Sequence, residues 1–197
     1  QPHTFALAAT SVGLAIVVAL ATAYVATLPG AGALRSAVRA LPSFMVSLPG
    51  FWIAILLLQF FSFRLGWVNV VDPTPLEGLI LPTLTLAVPM AAPLMQVLIR
   101  SIDEVRAQPF VQVVRARGAS EARIFWRDVL RNSLLPAITM AGLLFGELVG
   151  GAVVTETVFG RAGLGSLTVN AVSSRDMPVL LGVVLIAATA YVAVSYT

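Results

Sequence analysis

Five stretches of the chain are apolar, almost free of charge and about 20 residues long, and they limit what it can fold into. They run approximately over residues 5–28, 41–61, 78–99, 134–154 and 178–194. A helix of about 20 apolar residues crosses the hydrocarbon core of a bilayer, so each stretch is a candidate membrane span. Only 11% of the residues are charged, against roughly 25% in soluble domains. The sequence therefore predicts an all-helical transmembrane protein with about five spans.

The second and third stretches contain prolines, which have no backbone N–H and disrupt a helix interior. These prolines are Pro42 and Pro49 in the second stretch and Pro82, Pro89 and Pro93 in the third. In a membrane bundle, neighbouring helices can satisfy the backbone groups that a proline frees. We therefore expect kinked or broken helices in these two stretches.

The arginines are distributed unevenly among the loops, and this predicts the orientation. All 12 basic residues are arginines, and seven of them lie in the segment 100–131 after the third span. The loop after the first span carries Arg35 and Arg39 without an acid, whereas the other two loops mix arginines with acids. Short loops rich in arginine stay in the cytoplasm, so the two arginine-rich loops are predicted to lie inside. Gln1 is then outside and Thr197 inside.

A chain that starts outside the membrane, without a methionine or a signal peptide, is expected to be a piece of a longer protein. We expect at least one further span upstream and a cut C-terminus as well. Residues 1–197 are expected to form a single transmembrane domain that contains a cytoplasmic loop at 101–133.

The composition excludes several kinds of chemistry. The chain has no cysteine for a disulfide or thiol site and no lysine for a Walker-type phosphate loop. The one histidine is His3, no His-Glu-x-x-His pattern is present, and no metal site is expected. Glu147 and Glu156 are nine residues apart, so a paired-acid catalytic site on one helix is not expected. Because the arginines lie in loops between apolar segments, nucleic acid is not an expected partner.

The loop over 101–133 is predicted to form two short helices joined by a glycine turn. Pro109 ends the helix before it, because proline lacks an amide donor and disfavours helical geometry in the preceding residue. The next helical stretch reaches Gly118, and glycine is the usual left-handed residue just past a helix end. Ser120 can then cap the following helix, with Glu121 in its first turn.

Arginines and apolar residues lie on different sides of that following helix. Arg123, Arg127 and Arg131 recur every four residues, while Ile124, Phe125 and Leu134 lie around the other side. One interpretation is an amphipathic helix pair that rests on anionic lipid. The other is a docking element for a cytoplasmic partner, because small residues at the tip let another surface approach closely. These small residues are Ala116, Gly118, Ala119 and Ser120.

Four stretches carry a resemblance to a known family. They are VVRARGASEARIFWRDVLRNSLLP at 113–136, SLPGFWIAILLLQFFSFRLGW at 47–67, GLILPTLTLAVPMAAPLMQVLIRS at 78–101 and GGAVVTETVFGRAGLGSLTVNAVSSRDMPVL at 150–180. Together they resemble the inner-membrane permease subunits of ATP-binding-cassette (ABC) importers, in particular the B-type subunits of the peptide and nickel class. The resemblance covers nearly the whole chain.

The loop keeps the peptide-class version of the importer motif rather than the general one. The general motif begins Glu-Ala-Ala, six residues before its glycine, where residues 112–114 of this chain are Gln-Val-Val. The peptide-class pattern fits Ala-Arg-Gly at 116–118 and LRNSLLP at 130–136. Because Gln112 is neutral, the resemblance implies docking without the loop glutamate that other classes pair with the ATPase.

The resemblance implies a type I ABC importer permease fold and a coupling helix that sits in a groove of an ATPase subunit. The residues it assigns to this contact are Gln112, Arg115, Ala116, Arg117, Gly118, Ala119, Ser120 and Glu121. ATP-driven closure of two ATPase subunits would pull such loops together and switch the pathway from inward-facing to outward-facing.

The implied partners are a second permease subunit in a heterodimer, two ATPase subunits, an extracytoplasmic substrate-binding protein and the bilayer of the bacterial cytoplasmic membrane. ATP and Mg would be bound by the ATPase subunits, so this chain is expected to hold no cofactor and to be no enzyme itself. The implied substrates are dipeptides or oligopeptides, with nickel chelates or other small solutes as the alternative.

The fourth span combines a glycine stripe with an acid. Gly142, Gly146 and Gly150 recur every four residues, with Gly151 beside the last, and such a stripe allows close helix contact. It either packs inside the chain or faces the partner permease. Glu147 is costly at membrane depth and should face a bundle interior or water. It is either a pathway residue for an amino terminus or a cation, or a buried, protonated or hydrogen-bonded carboxyl.

Two outer turns complete the candidate sites. The resemblance places Glu156, Arg161, Gly163 and Gly165 near the outer gate or the binding protein, and the alternative is an interfacial turn with a flexible glycine backbone. The turn over 72–77 is expected to be a solvated loop.

Two other functions stay open. A lone intramembrane acid such as Glu147 can carry protons, so a secondary transporter is the main alternative. The large cytoplasmic loop argues against it. A purely structural membrane subunit would explain the bundle but not the protruding loop.

Overall fold

The computed structural model describes residues 2–28, 32–70, 73, 74, 76–161 and 163–195. In these ranges the chain is almost entirely helical and has no strand, as the sequence predicts. Contacts group the chain into two units. The first unit consists of Gln1–Leu14, Leu48–Met90 and Gly142–Thr197, and the second of Ala15–Ser47 and Ala91–Ala141.

The first and third predicted spans are each one helix. They are α1 (Pro2–Thr27) and, after two intervening helices, α4 (Glu77–Arg106). By length and composition, Ala6–Thr27 and Glu77–Arg106 can each cross a membrane. The three prolines of the third stretch do not interrupt α4, so of the kink or break expected there the break is not found.

The second predicted span is not one straight helix. It comprises α2 (Gly32–Val46) and α3 (Gly50–Leu57), and α3 continues as a π-helix over Leu58–Arg64. The two helices are bent by 103° at the break between them. The cause is Pro49, which has an extended ψ of 134° and cannot continue a helix from the residue before it. The expected break is confirmed, and the expectation of a single span over 41–61 is corrected to a bent pair.

The remaining helices follow the polar loop and the outer turn. They are α5 (Pro109–Ala116), α6 (Glu121–Arg123) continued by a π-helix (Ile124–Val129), α7 (Leu130–Val158), α8 (Leu164–Ser174) and α9 (Met177–Ser195). The helices α7 and α9 coincide with the fourth and fifth predicted spans. The short helix α8 occupies the loop after the fourth span, where the sequence analysis predicted no helix.

Each unit has its own apolar core. In the first unit Ala54, Val68, Leu81 and Phe159 are buried together. In the second unit the α1 alanines Ala15, Ala19 and Ala23 recur every four residues and are fully buried. Small side chains in such a stripe let helices approach closely in a membrane, which is the role the sequence analysis considered for the glycines of the fourth span.

Candidate functional site

The turn at the tip of the polar loop is built around Gly118. Its φ is +82°, a left-handed conformation that glycine adopts at little cost. Its N–H donates to the carbonyl of Arg115 at 2.9 Å, and the N–H of Ala119 donates to Val114 at 3.4 Å. The predicted glycine cap is confirmed. A Cβ atom on Gly118 would meet no other atom within 4 Å, so the tip is open on the outside.

The helix after the turn begins as predicted. Ser120 has the extended backbone of an N-cap residue, and its hydroxyl accepts the N–H of Arg123 at 3.4 Å. Glu121 lies in the first turn, where a carboxylate is favoured by the helix dipole. The predicted end of the preceding helix before Pro109 is confirmed as well, since α4 ends at Arg106 and α5 begins at Pro109 after two turn residues.

Glu121 holds the loop together from the inside. One carboxylate oxygen accepts from Nε of Arg115 at 2.7 Å, and the other accepts from Nη1 of Arg106 at 3.2 Å. The hydrogen bond from Arg115, followed by the charges of both arginines, lowers the pKa of Glu121 below its ordinary value. This trio, the Glu121 cluster, joins the end of α4 to α5 and to the first turn of α6.

The second helix of the loop is anchored by buried aromatic and aliphatic side chains. Ile124, Phe125, Val129 and Leu130 are buried, at a spacing of five that suits the π-helix over Ile124–Val129. The ring of Phe125 packs edge-on against Tyr24 of α1, with centroids 4.8 Å apart. The arginines on the other side are exposed, as predicted, and they are Arg123, Arg127 and Arg131.

A bidentate ion pair fixes the base of the loop, and the sequence analysis missed it. Arg39 of α2 donates through Nη1 and Nη2 to the two oxygens of Asp103 of α4, both at 2.8 Å. Its Nε donates to the carbonyl of Ala26 near the end of α1 at 3.0 Å. Arg39 therefore ties three helices together, although the sequence suggested only an orientation signal. No local motif marks Asp103 as its partner.

Most residues of the predicted coupling set face outward at the tip. Gln112, Arg115, Ala116, Arg117, Gly118 and Ser120 are exposed, whereas Ala119 and Glu121 are half-buried. The structure thus brings the set together on one protrusion, with Glu121 turned inward to its arginines. A contact with an ATPase remains a prediction.

The glycines of the fourth span differ in what surrounds them. A Cβ on Gly142 would meet nothing within 4 Å, whereas one on Gly151 would lie 3.1 Å from Leu86 of α4. The surroundings of Gly146 and Gly150 lie outside the described part of the chain. Glu147 is exposed, and the described residues give it no hydrogen bond or ion pair.

The four predicted residues of the outer turn do come together. Glu156 is only 2% exposed, and its Oε2 accepts the N–H groups of Gly165 at 2.7 Å and Ser166 at 3.3 Å. The Cβ that Gly163 lacks would overlap the Glu156 carboxyl. The guanidinium of Arg161 donates to the carbonyl of Gly78 at the start of α4. A role at an outer gate stays a prediction.

The other outer turn forms a capping box, which the T-x-x-E pattern could have indicated. The N–H and hydroxyl of Thr74 donate to Oε2 of Glu77 at 3.0 Å and 2.7 Å. Asp72 and Pro75, which belong to the same predicted turn, lie outside the described residues. No group of three or more acidic or histidine side chains in the described ranges is arranged to hold a metal ion.

The fold has a counterpart among solved structures. It is similar to that of a structure described as inward-facing conformations of the MetNI methionine ABC transporter, with a TM-score of 0.77. The match covers 98% of this chain and 88% of that chain at 19% sequence identity, which shows a shared fold.

Residues 12–197 match the family model of the binding-protein-dependent transport system inner membrane component. The chain belongs to this family. It is 39% identical over 141 residues to the glutathione transport system permease protein GsiC of Escherichia coli (strain K12) and to that of Salmonella choleraesuis. Each match covers 72% of this chain and 46% of the relative, so the chain spans about half the length of the curated relatives it matches. The predicted resemblance, fold class and multi-pass inner-membrane location are confirmed.

Proposed function

We propose that the chain is the membrane-spanning subunit of an ATP-driven importer that moves peptides by alternating access. The observation that carries the proposal is the exposed glycine turn at Gly118, supported from inside by the Glu121 cluster. The segment 101–133 is then cytoplasmic, and its tip sits in a groove of an ATPase subunit.

The loop has the features of a mechanical joint rather than of a lipid anchor. Gly118 leaves open space at the tip, where a partner surface can approach the backbone. The loop leads directly from α4 into α7, and its internal ion pairs and buried side chains make it stiff. A displacement of the tip would therefore move the ends of two helices. An amphipathic anchor on lipid needs neither an open tip nor a stiff connection.

The ATP chemistry belongs to other chains in this proposal. Residues 1–197 contain no lysine, so this segment has no Walker-type loop to hold ATP phosphates. Two ATPase subunits bind ATP and Mg, and a second permease subunit completes the pathway. The family description, a binding-protein-dependent system, supports an extracytoplasmic binding protein as the source of substrate.

Peptides are the proposed substrates because the GsiC relatives transport glutathione, which is itself a small peptide. The structural neighbour is a methionine transporter, so the same fold is also used for other solutes. That neighbour is only 19% identical to this chain. A nickel chelate or another small solute is the second candidate.

The test is to purify the full-length protein with its native partners and to measure uptake in proteoliposomes. We expect an ATPase to copurify and a dipeptide such as Ala-Ala to enter only when ATP and the binding protein are present. Uptake that needs a proton gradient and ignores ATP would identify a secondary transporter instead. Recovery of the intact permease without any ATPase would also overturn the proposal.

A further inference from the structure

The helix α7 carries two carboxylates that lie on opposite sides. Glu147 and Glu156 are nine residues apart, which is two and a half turns of an α-helix at about 3.6 residues per turn. Glu156 faces the chain itself and accepts the backbone N–H of Gly165. Glu147 is exposed. The buried carboxylate has a structural role, so the exposed one needs another explanation.

The strip of α7 that runs through Glu147 is exposed, although Gly151, on the adjacent strip, lies against Leu86 of α4. Leu143, one turn before it, is 55% exposed, and Val154, two turns after it, is 44% exposed. Leu144 and Leu148, which both lie to one side of this strip on α7, are buried. The strip around Glu147 is therefore a narrow outward-facing band with apolar neighbours.

Glu147 lies at membrane depth. In the apolar stretch 134–154 it is about 20 Å from one end and about 10 Å from the other, at about 1.5 Å per residue. These distances place it inside a hydrocarbon core of about 30 Å. Contact between a carboxylate and lipid is energetically unfavourable at this depth, because hydrocarbon supplies neither water nor a hydrogen-bond donor. Its partner therefore lies outside the described residues, in a water-filled pathway, in a further segment of this protein or in another chain.

We propose that Glu147 lines the translocation pathway and that its carboxylate receives the ammonium group of a peptide in transit. The inference rests on the proposed function, since it takes the pathway and the peptide from it. An ionised carboxylate only accepts hydrogen bonds, so its natural ligand is a cationic donor. A peptide ammonium gives up water as it enters the membrane, and Glu147 offers it a replacement acceptor.

No cysteine occurs in residues 1–197, so a thiol can be introduced at a chosen position of this segment. The Glu147→Cys variant introduces a thiol at the candidate position, and the Leu185→Cys variant does so at an exposed apolar position of α9 as a control. In the reconstituted complex, we expect a cationic methanethiosulfonate reagent to modify position 147 at least tenfold faster than position 185. Ala-Ala supplied with ATP and binding protein should slow the reaction at 147.

Uptake of Ala-Ala provides the second arm. We expect Glu147→Gln to raise the KM for Ala-Ala at least fivefold and Glu147→Asp to restore most of the affinity, whereas Leu143→Ala on the same strip changes KM little. An unreactive thiol at 147 would place the residue in a dry subunit interface, and an unchanged KM in Glu147→Gln would remove the cation contact. Either result overturns the inference. If the wild-type complex fails to take up Ala-Ala with ATP, the proposed function is contradicted, and the inference that rests on it is contradicted too.

Discussion

The carboxylate of Glu156 caps α8 in its first turn, with 2.7 Å between its Oε2 and the backbone nitrogen of Gly165. A side chain of α7 thus takes the place of the N-cap side chain that Gly163 does not have. Ser166 completes the arrangement, because its hydroxyl accepts the N–H of Gly163 at 2.9 Å. The outer turn is therefore built around one buried acid and two positions without a Cβ.

Replacing Gly165 with alanine should loosen this turn. The added Cβ would lie 2.8 Å from the backbone nitrogen of Val153 and closer still to its Cα, so α8 would have to move away from α7. We expect a loss of about 1–3 kcal/mol, as for other overpacked sites, measured as a lower Tm in detergent. The control is Gly182→Ala in α9, where a Cβ meets nothing within 4 Å. Equal Tm values for both variants would show that the close approach does not exist.

Removing the Glu156 carboxylate should have an effect of similar size. In Glu156→Ala the N–H groups of Gly165 and Ser166 lose their acceptor, and buried donors without one cost about 1–3 kcal/mol. The matched control is Glu104→Gln, which breaks an exposed pair with Arg100. Exposed pairs of this kind contribute about 0.3–0.5 kcal/mol. Thermal unfolding that ranks Glu104→Gln as the more damaging change would refute the capping role.

The bidentate pair at the base of the loop can be tested with a conservative change. In Arg39→Lys the ammonium cannot reach both oxygens of Asp103 and the carbonyl of Ala26 together, since lysine lacks the planar fork of arginine. The pair is partly exposed, so we expect a modest loss of about 1 kcal/mol in the free energy of unfolding. The control is Arg35→Lys, at a half-buried position of the same helix. Indistinguishable unfolding curves would contradict the structural role.

The Glu121 cluster should make the order of the loop sensitive to acid. The pKa of Glu121 is lowered from its ordinary value of 4.5 in the folded loop, chiefly by the hydrogen bond from Arg115. A lowered folded-state pKa contributes stability that is fully present above the unfolded value and is lost as the pH falls through the folded one. We expect protection factors for hydrogen exchange at the turn to be constant near neutral pH and to fall below about pH 4.5.

Two variants isolate this effect. Glu121→Gln should lower protection at neutral pH, because Arg106, whose side chain is only 14% exposed, loses its carboxylate partner. It should also remove the further loss in acid. Asp128→Asn changes a carboxylate of the same loop outside the cluster and should keep the wild-type pH profile. An acid-induced loss that persists in Glu121→Gln would assign the titration to another group.

The features that could be predicted from the sequence depend on short-range rules. The apolar stretches, the left-handed Gly118 and the Ser120 cap all involve residues within a few positions of each other, where residue type and spacing determine the geometry. The bend at Pro49 was expected as a break, because proline restricts the residue before it.

The features that were missed join residues far apart in the sequence. Arg39 and Asp103 are 64 residues apart, and Arg161 donates to a carbonyl 83 residues away. A single sequence shows that an arginine needs a partner but not which acid or carbonyl folds next to it. The π-helix over Ile124–Val129 was missed for another reason, since its short apolar pattern also fits an ordinary α-helix.

The most direct test of the coupling proposal is the ratio of peptide uptake to ATP hydrolysis in Gly118 variants of the reconstituted complex. Gly118→Ala and Gly118→Trp both place a side chain at a φ of +82°, which costs roughly 1–2 kcal/mol in either case. Only tryptophan fills the open space at the tip. Comparing the two variants therefore separates backbone strain from the bulk that would block docking.

We expect Gly118→Ala to keep most of the coupling. We expect Gly118→Trp to insert and fold normally. Its ratio of peptide uptake to ATP hydrolysis should be at least tenfold lower than that of the alanine variant. If Gly118→Trp transports at the wild-type rate with the wild-type ratio, the loop does not dock on the ATPase through this turn.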